Sequence, residues 1–360
     1  MKNLKTILAV IVVLSVTSCE TYYRMITTID KKGKVQREIY AHGNEKFMNG
    51  DNSENPFLFE LDSVWNIHRF DSVFHYNFFG KNEELNVKIY KEAASIEQFA
   101  QNIQCDPIKR ALAAPQESFI KNNGWFYTKH SFKVVYNKLQ YDIPISIDDY
   151  LSKEEQIVWT QGGICNYKIM NGTEMNEYLS EIGDNFWRWH GKNRFEICFE
   201  SINKLNTTYN LDIDKEEIYK QTMELVKDET HNITPEALCN VLDIFYRTSY
   251  FSKLYNANSA IIDKDFEALN DLEKLIFNVI SYEIVISGKI AQTNAPIIES
   301  NRLIWKINGM RLLFDNYTLT VEYRTVNYWG FGLSGLLVLV ALCSISALFN
   351  KKRHFNNHRL

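Results

Sequence analysis

Two apolar runs bracket the chain. The first, Ile7 to Leu14, follows Lys2 and Lys5 and leads into Ser15-Val16-Thr17-Ser18-Cys19. The second, Trp329 to Phe349, holds 21 residues without a charge and is followed at once by Lys351-Lys352-Arg353. Between them the pattern starts as strands. Thr21 to Ile29 and Val35 to Ala41 are rich in β-branched and aromatic residues, and Asp30-Lys31-Lys32-Gly33-Lys34 between them predicts a turn. His42 to Asn55 is polar and predicts a loop. A second hairpin is expected from Val73 to Phe79 and Leu85 to Tyr90 around Gly80, and a short helix from Ser95 to Ile103. In Gly124 to Tyr136, Phe126, Thr128, His130, Phe132 and Val134 share one parity, which predicts a long strand.

The period then changes. Ser152-Lys153-Glu154-Glu155 fits a capping box. Glu174 to Ile202 is helix-rich, and Asp214 to Val226 sets Tyr219, Met223 and Val226 on one face. Thr234-Pro235 reads as an N-cap with proline in the first turn, ahead of Leu238, Val241, Leu242 and Phe245 at helical spacing. Asp263 to Val279 predicts one more helix. Strands return in Tyr282 to Ala291, Arg302 to Ile307 and Tyr317 to Thr325. The fold class expected is α+β: one antiparallel sheet formed by N- and C-terminal strands, with a helical insertion and a C-terminal transmembrane helix. The divisions are 1–18 signal peptide, 19–147 β-rich half, 148–278 helical insertion, 279–327 closing strands, 328–350 transmembrane helix and 351–360 basic tail. The first strand begins two residues after Cys19 and the last ends three before Tyr328. These two strands are therefore expected to pair, or to lie one strand apart, with the sheet close to the bilayer and the helices projecting away.

The N-terminal run has the charged start, short apolar stretch and small residues of a secretory signal, and is too short to span a bilayer comfortably. At about 1.5 Å per residue the C-terminal run spans roughly 30 Å, the thickness of a hydrocarbon core. Tyr328 and Trp329 stand where an interfacial aromatic belt is expected, and the basic tail predicts a cytoplasmic C-terminus. Charge sharpens this. All 44 acidic residues lie between the runs with 34 of the 40 basic ones, so the body carries a net charge of −10. Such a body repels phosphate backbones, which speaks against nucleic acid as a partner.

Candidate chemistry is sparse. Cys105, Cys165, Cys198 and Cys239 match no zinc spacing, and disulfides and buried thiols both remain open. None of His42, His68, His75, His130, His190 and His231 belongs to a metal-binding motif, so neither a metal nor a cofactor is expected. Trp187-Arg188-Trp189-His190 is the candidate ligand site: Trp187, Trp189 and His190 have the surface to stack on a sugar ring, against the plainer reading of a core edge. Trp125-Phe126-Tyr127, placed on a strand, face alternate sides and are expected in the core. Gly330 to Gly335 matches G-x-G-x-x-G literally, but in an apolar run with no preceding strand of a βαβ unit; Gly330 and Ser334 form instead a small-xxx-small pair. Asp212 to Glu216 and Asp263 to Glu267 begin like calcium loops but lack the glycine and the closing glutamate, and read as helix starts.

Val16-Thr17-Ser18-Cys19 resembles the lipobox of bacterial lipoproteins, which implies acylation of Cys19 after cleavage. With Gly124 to Tyr127, the segment Ile143-Pro144-Ile145 to Tyr150-Leu151-Ser152, and Ser287-Gly288-Lys289-Ile290 through Trp305, the chain resembles lipoproteins of Bacteroidetes bacteria that also end in a transmembrane helix. Asp62-Ser63-Val64 and Asp71-Ser72-Val73 resemble the O-glycosylation acceptors of that group, though patterns so short recur by chance. The resemblance implies no activity. The function expected is a non-catalytic inner-membrane lipoprotein with a periplasmic body that holds an envelope protein or glycan. The alternative is a tethered hydrolase of envelope polymers, needing converging carboxylates or histidines. A sensor is disfavoured by the short tail.

Overall fold

The computed structural model describes residues 21–30, 33–99, 103–162, 170–226 and 232–357, with backbone only at 265, 268 and 348–357. Cys19, Cys165 and His231 lie outside the described residues. The chain is α+β, with strands first, helices next and strands again. The strands are β1 (Tyr22–Ile29), β2 (Val35–Ala41), β3 (Asn66–Phe78), β4 (Lys81–Ala93), β5 (Gln116–Asn123) and β6 (Tyr127–Tyr136), then β7 (Val279–Ile286), β8 (Lys289–Thr293), β9 (Ile297–Glu299), β10 (Arg302–Asn308) and β11 (Tyr317–Val326). The helices are α1 (Glu45–Met48), α2 (Arg110–Ala113), α3 (Lys153–Gln161), α4 (Gly172–Asn203), α5 (Leu211–Val226), α6 (Pro235–Tyr246), α7 (Tyr250–Phe277) and α8 (Tyr328–Asn357).

Local chemistry sets several boundaries. Ser152 and Glu155 form the expected capping box at α3, which Gly162 closes in the left-handed conformation. Asn171 and Glu174 form a second one that opens the 32-residue α4. Thr234 caps α6 through the Ala237 amide, with Pro235 in its first turn. The helix expected from Asp263 starts earlier, at Tyr250, and kinks at Asn258, whose side chain bonds the Leu254 carbonyl. Between Ser95 and Ile103 the described part is one turn of 3-10 helix, Ile96–Gln98.

The strands form two sheets, not one. Seven run in the order β3-β4-β2-β1-β7-β10-β9 and four in the order β5-β6-β11-β8. All neighbours are antiparallel except β1 and β7. The expectation that the first and last strands pair or lie one apart is overturned: β1 belongs to the larger sheet and β11 to the smaller. Strand β5 was hidden in the sequence because its residues are mostly exposed and carry no apolar alternation. The sheets face each other as a sandwich. Met25, Ile29, Ile39, Tyr282, Ile284 and Trp305 of one meet Phe132, Val134, Leu319 and Val321 of the other, and this core continues into the helices through Phe186, Phe195 and Phe199. The far half of β3 and β4 folds over the outer face of the larger sheet, where Phe78 and Leu85 pack on Tyr22 and Val279.

Strand polarity decides where the chain ends lie. Tyr282 of β7 packs on Tyr136, the partner of Tyr317 at the start of β11. Past the end of β7, a Cβ on Gly288 would stand 2.6 Å from the Arg324 carbonyl, near the end of β11. Strands β7 and β11 therefore run the same way. Tyr22 pairs with Val279 at the start of β7, and Ile29 with Ile286 at its end. Strand β1 thus begins at the end of the sandwich opposite α8, beside the helical part. Seven steps of about 3.3 Å put Tyr22 some 23 Å from Ile29. One sheet carrying both chain ends on the same side is not the observed arrangement; the sandwich separates them.

Candidate membrane-facing site

Helix α8 leaves β11 after a single residue, Asn327. Within its first 20 residues, Tyr328 to Ala347, an 18-residue stretch has a mean hydropathy of 2.1 and is only 6% buried, so by length and composition the helix is able to cross a membrane. What touches it is the tip of the β5–β6 hairpin. Trp125 meets Trp329 edge to face at 5.1 Å, Phe126 tilts on Phe331 at 4.8 Å, and Tyr127 stands edge-on to Phe331 at 6.1 Å. The Trp125 indole donates to Ser334 Oγ at 2.8 Å, a turn and a half into the helix. Gly330 makes this approach possible: the Trp125 carbonyl lies where any Cβ on residue 330 would sit.

Several polar groups of the tip are bonded within the chain. The Gly124 amide donates to the Tyr127 carbonyl at 3.0 Å. Asn327 donates from its side chain to the Gly124 carbonyl at 2.7 Å and from its backbone to the Phe126 carbonyl at 2.9 Å. Thr128 donates to Asn327 Oδ1 at 3.0 Å. The expectation that Trp125, Phe126 and Tyr127 belong to the core is overturned: their exposures are 45%, 40% and 48%. The strand begins only at Tyr127, so alternation of faces does not govern Trp125 or Phe126. The small pair Gly330 and Ser334 is used, but by this chain's own tryptophan.

The predicted stacking residues part company. Trp189 is 4% exposed and donates to the Ile145 carbonyl at 2.9 Å, so its ring is spent in the core. Trp187, 42% exposed, turns outward and meets His190 edge to face at 5.4 Å. His190 is buried and bonds Glu273, both of whose oxygens also accept from Arg194 Nη1 at 2.6 Å. Burial pushes the Glu273 carboxyl up, but His190 and the Arg194 guanidinium pull it below the ordinary range. Of the three, only Trp187 offers an open face.

Other buried charge is paired inside the fold. Glu283 takes Arg24, Arg302 and Tyr76 on the outer face of the larger sheet, with Arg24 also stacked over Tyr76. Glu117 takes Arg37 and the Tyr282 hydroxyl between the sheets. Burial, and then Glu117, push the Tyr282 hydroxyl well above its ordinary range. His130 is stacked between Phe119 and Tyr323 and bonds Thr325, so its place is structural. Among the described residues no group of three His, Cys, Asp or Glu is arranged to hold a metal. Cys105, Cys198 and Cys239 are free thiols.

No protein-family model matches the chain, and no curated protein matches it. Among solved structures, the NMR structure of the folded domain of LppM from Mycobacterium tuberculosis is similar at 9% identity and a TM-score of 0.27, over 86% of this chain and 91% of that one. A likeness this distant assigns neither family nor activity.

Proposed function

We propose that the protein is an extracytoplasmic, non-catalytic protein tethered to the bacterial inner membrane by α8. Its acidic body would hold an envelope protein or glycan near the bilayer. The observation that carries this reading is the bareness of α8: an apolar helix with almost no protein around it needs lipid. The basic tail favours a cytoplasmic C-terminus and an outward body. The lipobox motif makes Cys19 the acylation candidate, after cleavage of 1–18. The polarity of β1 changes what that lipid would do. Cys19 is joined by two residues to the end of the sandwich opposite α8, and two residues reach only about 7 Å. Helix α8 is therefore the tether in this reading.

The test is protease added to spheroplasts of cells making the full chain with a C-terminal epitope. The body should be digested while a membrane-embedded fragment carrying the epitope survives and resists alkaline extraction. A body that is protected, or an epitope that is lost with the membrane still sealed, would overturn the proposal.

A further inference from the structure

We propose that the tip of the β5–β6 hairpin is itself a membrane-inserting wedge, seated in the bilayer interface beside α8 and holding the body upright on the lipid surface. The inference rests on the reading of α8 as a membrane span and goes beyond it, because a span alone does not say which part of the body meets the lipid.

The first observation is position. Trp329 opens the uncharged run, and Ser334 is five residues further in, about 7.5 Å deeper at 1.5 Å per residue. Since the Trp125 indole bonds Ser334, the tip reaches below the level of Trp329. The second is surface. Trp125, Phe126 and Tyr127 pack on Trp329 and Phe331 in one exposed aromatic collar at the helix entry, with Tyr328 exposed at its start. Such rings favour the membrane interface, where an apolar body and a polar edge are both satisfied. The third is backbone satisfaction. Irregular chain enters lipid only where its polar groups find partners within the protein. Here the Gly124 amide and carbonyl, the Phe126 carbonyl and the Trp125 indole N–H are met within the chain, and the Trp125 and Phe126 amides are left for the headgroups and water of the interface, which sets the depth of the wedge there rather than in the hydrocarbon. The occupant is lipid rather than a second copy because the collar is continuous with a bare helix that needs lipid on the same sides.

The test uses the full chain reconstituted into phosphatidylcholine–phosphatidylglycerol vesicles whose acyl chains are brominated near the headgroup. The readout is the lipid-quenched share of tryptophan emission. Trp125→Phe and Trp329→Phe are each expected to remove a comparable part of the quenched emission, and Trp187→Phe none. Gly330→Leu puts a side chain against the Trp125 carbonyl. In the Trp329→Phe background it should lower the remaining quenching at least two-fold. If Trp329→Phe removes quenching but Trp125→Phe and Gly330→Leu change nothing, the wedge is wrong and the span stands. If the protein does not float with the vesicles and no variant is quenched, span and wedge fall together. If Trp125 stays unquenched while Trp125→Ala dissociates a dimer, the collar is a protein contact and the wedge is overturned.

Discussion

Arg37 and Glu117 meet across the gap between the two sheets in a two-pronged ion pair, 2.9 and 2.7 Å long. Both side chains are almost wholly buried. Arg37 also donates to Thr27, and Tyr282 donates to Glu117 at 2.6 Å, so β2 and β7 of the larger sheet share one carboxylate of the smaller and β1 is tied in through Arg37. Removing one partner strands the other charge in the core. Arg37→Ala is expected to cost about 3–5 kcal/mol in denaturant unfolding of the full chain in detergent. The double variant Arg37→Met/Glu117→Leu should cost clearly less than the sum of the two single changes. Additive losses would show that the pair is not the link between the sheets.

His130 predicts an acid sensitivity. Burial, and then Lys121, hold its pKa below the ordinary value. The unfolded chain therefore binds the proton more readily than the folded one. The stability this neutral histidine contributes is complete above the unfolded value of about 6.5 and declines as pH falls below it. His130→Phe keeps the stack between Phe119 and Tyr323 and removes the proton. Between pH 7 and 5, urea midpoints should fall more steeply for the wild type than for His130→Phe. Parallel curves would rule the histidine out as the cause.

The buried thiols predict slow chemistry. Burial pushes Cys239 up to about 12 and Cys198 higher still. A thiolate is the reactive form, so neither should be alkylated by a maleimide in the folded protein near pH 7. Mass spectrometry should find both modified only after denaturation. Labelling of Cys198 within minutes under native conditions would contradict its packing.

Strand polarity predicts a distance. Spin labels at Thr21→Cys and Asn327→Cys, in a background without other reactive cysteines, should lie about 40 Å apart, roughly thirteen strand steps, since Thr21 precedes the start of β7 and Asn327 lies past Gly288. A separation under 15 Å would restore the arrangement in which both chain ends leave the same end of the body.

Several elements were legible because their cause is local. The capping box at Ser152, and Pro235 after Thr234, depend on residues three apart or fewer. The β1–β2 hairpin follows from its turn. Strand β5 was not legible, since its exposed face breaks the alternation that marks a strand. The candidate site was legible only in halves. Gly330 and Ser334 stood out as a small pair, and Trp125 as one of three aromatics, but 209 residues separate Trp125 from Ser334 and no spacing rule connects them.

From sequence alone come the two apolar ends, the α+β order of elements and the acidic body, because composition and short-range periodicity are properties of neighbouring residues. Only the tertiary structure decided that β1 and β11 belong to different sheets, that Thr21 begins at the end opposite α8, and that Trp125 rests on Gly330. Each depends on which distant strands pair and in which direction they run, and that is set by how buried faces such as those of Tyr282 and Tyr136 fit together, not by any one stretch of chain.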